Sequence, residues 1–312
     1  MREFNLEFSN EREKKRFVRR EDRKFDRALN KICRKIAMTD KKIVTLSGPT
    51  CSGKTTAAEK IIACFKKRGK EVIAVSLDDF FRDAPSFGDL TEEKPDYDSV
   101  KALDLPELER CVKSLLALDP TRIPIFEFKE QRRVGYKTVD PDENTVLLFE
   151  GIQGMYREVV ALLPKEEHLS IFISPEGDRI VNGEHFTPDE VRLCRRLVRD
   201  RAKRGNAPDF VMYLWDSVRA NEIENIDPYI NTADLFIDST FAYEMGVLKA
   251  ELLSCVAEIP DDSERKERAE ALAAKFAAIP EISPAYLPEN SVYHEFIDTT
   301  IDARIKQHLK KE

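Results

Sequence analysis

Between Lys41 and Ile62 the chain reads KKIVTLSGPTCSGKTTAAEKII, and few folds accommodate such a stretch. An apolar run, Ile43 to Leu46, enters a turn containing Gly48, Pro49 and Gly53. Lys54, Thr55 and Thr56 then open a helix-like segment. Gly48-x4-Gly53-Lys54-Thr55 fits the spacing G-x-x-x-x-G-K-[ST]. Glycines at these points let backbone N–H groups turn inward, and the positive end of the following helix adds to their field. Lys54 supplies a point charge for the outer phosphates of a nucleotide. Thr55 offers a hydroxyl to Mg²⁺, a cation that prefers hard oxygen ligands. Gly48, Pro49, Thr50, Cys51, Ser52, Gly53, Lys54, Thr55 and Thr56 are therefore the candidate nucleotide-binding residues.

A strand ending in such a turn needs parallel neighbours. Four more short apolar or β-branched runs supply them: Val72–Ser76, Val146–Phe149, Ser170–Ile173 and Leu235–Ile237. None alternates between apolar and polar residues, as expected of strands covered on both faces. Helical patterns separate them, so the expected fold is α/β, with a doubly wound, mostly parallel sheet. Residues 41–250 hold this alternation. Residues 1–40 form a charged extension in which Phe25, Leu29, Ile32 and Ile36 recur at helical spacing. This is read as an amphipathic helix packed on the core with a solvated basic face; an arm for nucleic acid or a partner is the alternative. Residues 251–312 are read as a helical extension, with a Pro-containing connection before a final helix.

Composition narrows the setting. The net charge of −7 gives no general reason to expect nucleic-acid binding. No apolar run approaches the roughly 18–20 residues of a membrane span, and the N-terminus has no apolar signal core. Cys33, Cys51, Cys64, Cys111, Cys194 and Cys255 are scattered without CxxC pairs, which fits a reducing cytoplasm rather than a zinc site or disulfide framework. A homo-oligomer is left open.

The loop alone does not name a reaction. No glycine has Asp three residues before it, and no N/T-K-x-D occurs, so the marks of a regulatory GTPase are missing. The strand TVLLFE ends on Glu150 without the adjacent Asp usual in motor ATPases. A transfer enzyme fits better than a switch or a motor. Asp78 and Asp79 follow the second strand at the end of the sheet that faces a ligand crevice. A carboxylate there can accept a hydroxyl proton or approach Mg²⁺ through water; a capped surface turn is the bland alternative. In VRLCRRLVRDRAKRG, Arg192, Arg195 or Arg196, and Arg199 share a helix face, with Arg204 beyond. Such arginines can form a lid that offsets charge on a transferring phosphoryl group, or a solvated charged helix.

Together these segments resemble the uridine kinase/phosphoribulokinase family, and most closely its bacterial uridine kinase-like branch. GPTCSGKTT is similar to the family's phosphate loop, and SLDDFF to S-x-D-S-F-Y. YDSVKALD is similar to F-D-H-P-D-A-F-D, IPIFEF to I-P-x-Y-D-F, and VLLFEGI to V-L-F-E-G-I. RRLVRDRAKRG corresponds to the family lid. The resemblance implies a P-loop kinase domain over 41–250 and ATP-dependent transfer to a small-molecule hydroxyl, with uridine or cytidine as the family acceptor. It places Asp78 on the catalytic Asp, near Mg²⁺ with Thr55 and Glu150. It places Asp98 on the Asp that binds sugar hydroxyls, and makes Arg133 a further acceptor-site candidate. Lys54, Arg196, Arg199 and Arg204 would complete the catalytic set. Three positions depart from the pattern. Phe126 replaces the Tyr that reads the pyrimidine, Gln131 replaces its partner His, and Asn206 takes the place of the last lid arginine. A sugar, sugar phosphate or polyol acceptor is therefore carried as an alternative, and a nucleotide-binding regulatory module as another.

Overall fold

The computed structural model describes residues 1–83, 97, 99–128 and 130–297. Chain order gives β1 (Arg2–Phe4), α1 (Glu11–Ala37), β2 (Ile43–Ser47), α2 (Lys54–Lys66), β3 (Glu71–Ser76), α3 (Leu105–Leu116), β4 (Thr121–Glu127), β5 (Arg132–Val139) and β6 (Thr145–Glu150). These are followed by α4 (Arg157–Val160), β7 (His168–Ser174), β8 (Arg179–Val181), β9 (Glu184–Phe186), α5 (Pro188–Arg199), α6 (Pro208–Asn225), β10 (Leu235–Asp238), α7 (Glu244–Ala257) and α8 (Lys266–Ala274).

Five strands form one sheet in the order β10-β7-β2-β6-β3, with every pairing parallel. These are the five runs expected from sequence, each extended by a residue or more. Both faces are covered, which explains the absence of alternation. Val44, Leu46, Val146 and Leu148 face one apolar core, while Ile43, Leu147 and Phe149 face another. Neighbouring residues on a strand point to opposite faces, so a doubly covered strand is mostly apolar, and polar residues such as Thr45 and Ser170 are buried there with hydrogen-bond partners.

β2 is central, and its carboxyl end opens between β6 and β7, its two neighbours. That is where a doubly wound sheet forms its ligand crevice. Behind it, α1 runs for 27 residues from an Asn10 cap whose side chain accepts from Glu13 N at 3.0 Å. It buries Phe25, Leu29, Ile32 and Ile36, while Arg16, Arg19, Arg23 and Arg27 are exposed. Tyr243 Oη donates to the buried Asp22 carboxylate at 2.6 Å, tying α1 to the turn before α7. β1 pairs in parallel with β8, so the start of the chain is stitched to the segment ahead of α5. Leu272, Phe276 and Ile282 join the same core. The final helix expected near the C-terminus lies outside the described residues.

Sequence reading did not give the β4–β5 hairpin. Its strands pair antiparallel with an irregularity at Ile125/Phe126, and Gln131 turns at φ 51. The turn lacks the Asn-Gly or Asp-Gly signal that marks a hairpin in sequence. The hairpin lies over Leu77–Phe80, a short 3₁₀ turn that follows β3.

Candidate active site

The loop from Gly48 to Gly53 bends over the end of β2 at close quarters. A Cβ on Gly48 would lie 2.1 Å from the Ile173 carbonyl oxygen, so the backbone passes where no side chain fits. Gly53 caps α2 at φ 94, in the region that favours glycine. Cys51 adopts φ 57, a costly conformation for a residue with a Cβ. Buried arginines hold the loop in this shape. Arg192 donates to Thr50 O at 3.2 Å, and Arg195 to Cys51 O at 3.1 Å. Glu222 accepts from Thr50 N at 3.1 Å and pairs with Arg192 at 2.7 Å; Glu244 pairs with Arg195 at 2.6 Å.

Lys54 Nζ donates to Gly48 O and Pro49 O, each at 2.9 Å. An ammonium has three donors, so one remains for a ligand. Burial pushes Lys54 below its ordinary range, opposed by the negative charges of Glu150, Glu295 and Asp78. Ser52 Oγ is buried with no hydrogen-bond partner among the described residues. A turn that leaves a buried hydroxyl unmatched beside a buried lysine ammonium at the start of a helix fits a multivalent phosphate.

A cavity of about 860 Å³ opens from this loop. It brings together Lys54, Thr55, Asp78, Glu150, Arg196, Arg199 and Arg204. Asp78 and Asp79 are adjacent in the 3₁₀ turn but differ in use. Asp79 accepts from Phe126 N at 3.2 Å and pairs with Lys137 at 3.4 Å, so it holds the hairpin. Asp78 lines the cavity. Glu150, at the end of β6, accepts from Ser76 Oγ at 2.9 Å. Thr55, Asp78 and Glu150 supply oxygen to the same space. Two carboxylates and a hydroxyl suit Mg²⁺, which usually keeps water and substrate phosphate as its other ligands.

The arginines of α5 divide between two directions. Arg192 and Arg195 point to core carboxylates, and so do not join Arg199 at the cavity as their shared spacing suggested. Arg196 and Arg199 reach the cavity. Past Arg199 the helix widens into a π turn, Asp200–Arg204, ended by Gly205 at φ 67. Asp200 is buried and faces Arg196 at 3.5 Å, Arg199 at 2.7 Å and Arg204 at 3.6 Å. One carboxylate thus gathers the three cavity arginines, a role that no local sequence signal marked.

Part of the cavity wall is aromatic: Phe81, Tyr97 and Phe128 line it. Phe126 is buried behind them, with ring centroids 5.6, 5.8 and 5.4 Å from Phe81, Tyr97 and Phe128. Arg133 does not reach this space. Its guanidinium is engaged by Asp104 at 2.9 Å and by Phe81 O at 3.2 Å. Asp98 lies outside the described residues. Gln153 and Glu295 also line the cavity, and sequence reading singled out neither. Among the described residues no helix is long and apolar enough to cross a membrane, and the six cysteines are buried and unbridged.

The chain is similar to several known proteins. The chain is 30% identical over 207 residues to uridine-cytidine kinase C of Dictyostelium discoideum, covering 66% of this chain but only 40% of that protein. It is 27% identical over 197 residues to a uridine kinase of Deinococcus deserti, covering 62% of this chain and 86% of the relative. Among solved structures it is similar to a possible uridine kinase from Bacillus stearothermophilus, with 14% identity and a TM-score of 0.47 over 68% of this chain and 97% of that one. The family model described as "Phosphoribulokinase / Uridine kinase family" matches residues 43–244, a stretch that takes in the phosphate loop, every strand of the parallel sheet and the arginines of α5. The chain belongs to the phosphoribulokinase/uridine kinase family.

Proposed function

We propose that the chain transfers the γ-phosphoryl group of ATP to a hydroxyl of a ribonucleoside of the uridine or cytidine type. One observation carries this reading: a single cavity joins a phosphate loop, two carboxylates and three arginines to an aromatic wall. Lys54 and the loop N–H groups would hold the outer phosphates. Thr55, with Glu150 and Asp78 close by, would hold Mg²⁺, which when bound neutralises charge on the phosphates. Asp78 takes the proton of the acceptor hydroxyl as its oxygen bonds to the γ-phosphorus and the bond to the bridging oxygen breaks, releasing ADP. Arg196, Arg199 and Arg204 offset the charge on the group in transit, at a point where fixed cations act strongly because water is limited. The aromatic wall favours a planar base at the acceptor end. Asp98 is proposed to bind the sugar hydroxyls.

Phe126 and Gln131 favour weak reading of that base. A site that hydrogen-bonds its substrate rejects analogues strongly, whereas an apolar site discriminates little. Uridine and cytidine should therefore differ little and both show a high KM. Restoring Tyr and His together (Phe126→Tyr with Gln131→His) should improve uridine use. The test is ADP release from ATP·Mg²⁺ across nucleosides, sugars, sugar phosphates and polyols. Turnover on a polyol or sugar phosphate and on no nucleoside would transfer the assignment to that acceptor class.

A further inference from the structure

A segment beyond the stretch matched by the family returns to the phosphate loop. Val292–Glu295 form a short 3₁₀ turn, and Val292, Tyr293, Phe296 and Ile297 are buried in the same core as α2 and α5. Tyr293 Oη donates to Glu244, and Lys203 Nζ donates to His294 O. The Arg195 guanidinium lies over the Tyr293 and Phe296 rings, 5.5 and 4.9 Å from their centroids. The segment is thus fixed on the loop, so closely that a Cβ on Gly53 would approach Val292 Cγ1 to 2.8 Å. Of this segment's side chains Glu295 lines the cavity, and at its margin Oε2 accepts from Thr56 N and from Thr56 Oγ1, both at 3.3 Å.

Thr56 N–H opens from the first turn of α2, where the helix field draws anions. It is one of the donors assigned above to the nucleotide, and a carboxylate already takes it. Two anions at one helix end repel each other, and a single N–H cannot serve both at full strength. We propose that Glu295 sets the affinity for the donor nucleotide by competing with its phosphate for Thr56. The segment's backbone is anchored, so the competition lies in the glutamate side chain and its charge. This inference rests on the reading of the loop as a nucleotide site.

Glu295→Gln keeps the shape and removes the charge. Calorimetric titration with ATP·Mg²⁺ should show tighter binding than wild type, by roughly ten-fold, the scale of one partly screened charge contact. The gap should narrow at high salt, because screening weakens repulsion and leaves a purely steric or structural effect unchanged. Glu295→Ala should shift affinity in the same direction, and Lys54→Ala should weaken binding. If Lys54→Ala loses affinity while Glu295→Gln is unchanged or weaker, the competition is overturned and the loop reading stands. If neither the wild type nor Glu295→Gln binds nucleotide, the loop reading fails and takes the proposal with it.

Discussion

Adjacent carboxylates with different partners show how the site works at the scale of single residues. Asp79 receives the Phe126 N–H and the Lys137 charge, whereas Asp78 lines the cavity. Asp78→Asn should lower kcat by roughly 10²-fold, the usual range for loss of a general base, with nucleotide binding retained. Asp79→Asn keeps an acceptor for Phe126 N and gives up a half-exposed ion pair, so its main effect should be a small loss of thermal stability. Steady-state kinetics and melting curves on both variants check the assignment. If Asp79→Asn is the crippled variant and Asp78→Asn is normal, the catalytic carboxylate has been placed one residue off. The phosphate loop was legible because its chemistry is local: the glycines, Lys54 and Thr55 fall within eight consecutive residues. Glu295 was not, because it reaches Thr56 across 239 residues of chain.

At the scale of elements, α5 is the piece that joins core and site. Its capping box, Thr187 with Glu190, fixes where it starts, and Pro188 suits the first helical position. Helical spacing predicted which arginines share a face but not what that face meets. Arg192 and Arg195 find Glu222 and Glu244, 30 and 49 residues away, so no local signal could assign them to the core. Their consequence is mechanical: the same guanidiniums that pair with these acids grip Thr50 O and Cys51 O. Glu222→Gln leaves a buried arginine without a full counter-charge. Breaking a buried pair in this way typically costs about 3–5 kcal/mol. Chemical denaturation should show a loss of that order, together with weaker nucleotide binding because Arg192, freed from Glu222, no longer holds Thr50 O in place. Unchanged stability would mean that Arg219, 2.9 Å from Asp189 and paired with Glu222, redistributes the charges without cost. The hairpin that contributes Phe128 to the aromatic wall shows the opposite limit of sequence reading. Its apolar residues do not mark its inner face, since Val134 and Tyr136 of β5 are exposed, and its turn uses a Gln in a left-handed conformation.

The whole molecule is organised by its parallel sheet, and the sheet was the most legible part of the chain. Five unalternating apolar runs separated by helical patterns leave few alternatives to a doubly covered sheet. What the sequence left open was how the two ends join it. The first strand pairs with β8, and the C-terminal segment closes on the loop, both through contacts distant in sequence. One polar group inside this frame gives a test of its integrity. His168 starts β7, and its Nε2 lies 2.9 Å from Thr45 Oγ1. Burial lowers its pKa below the ordinary value of 6.5, with Asp234 pulling the other way. A base with a lowered folded pKa contributes stability that is present above the unfolded value and lost as pH falls through the folded one. Melting temperature should therefore drop between about pH 7 and pH 5, and His168→Gln should flatten that part of the profile. An identical drop in the variant would assign the acid sensitivity to other groups.

The claim on which the account turns is that the loop, Asp78 and the α5 arginines act together in one cavity to pass a phosphoryl group to a hydroxyl. Mass spectrometry of the acceptor after incubation with ATP, Mg²⁺ and uridine tests it most directly, run on wild type, Lys54→Ala and Asp78→Asn. Nucleoside monophosphate should form with the wild type in step with ADP. It should be absent with Lys54→Ala, where the fixed cation of the loop is gone, and should fall by roughly 10²-fold with Asp78→Asn. Undiminished product with Lys54→Ala, or ADP formed only with free phosphate whatever hydroxyl compound is offered, would contradict it.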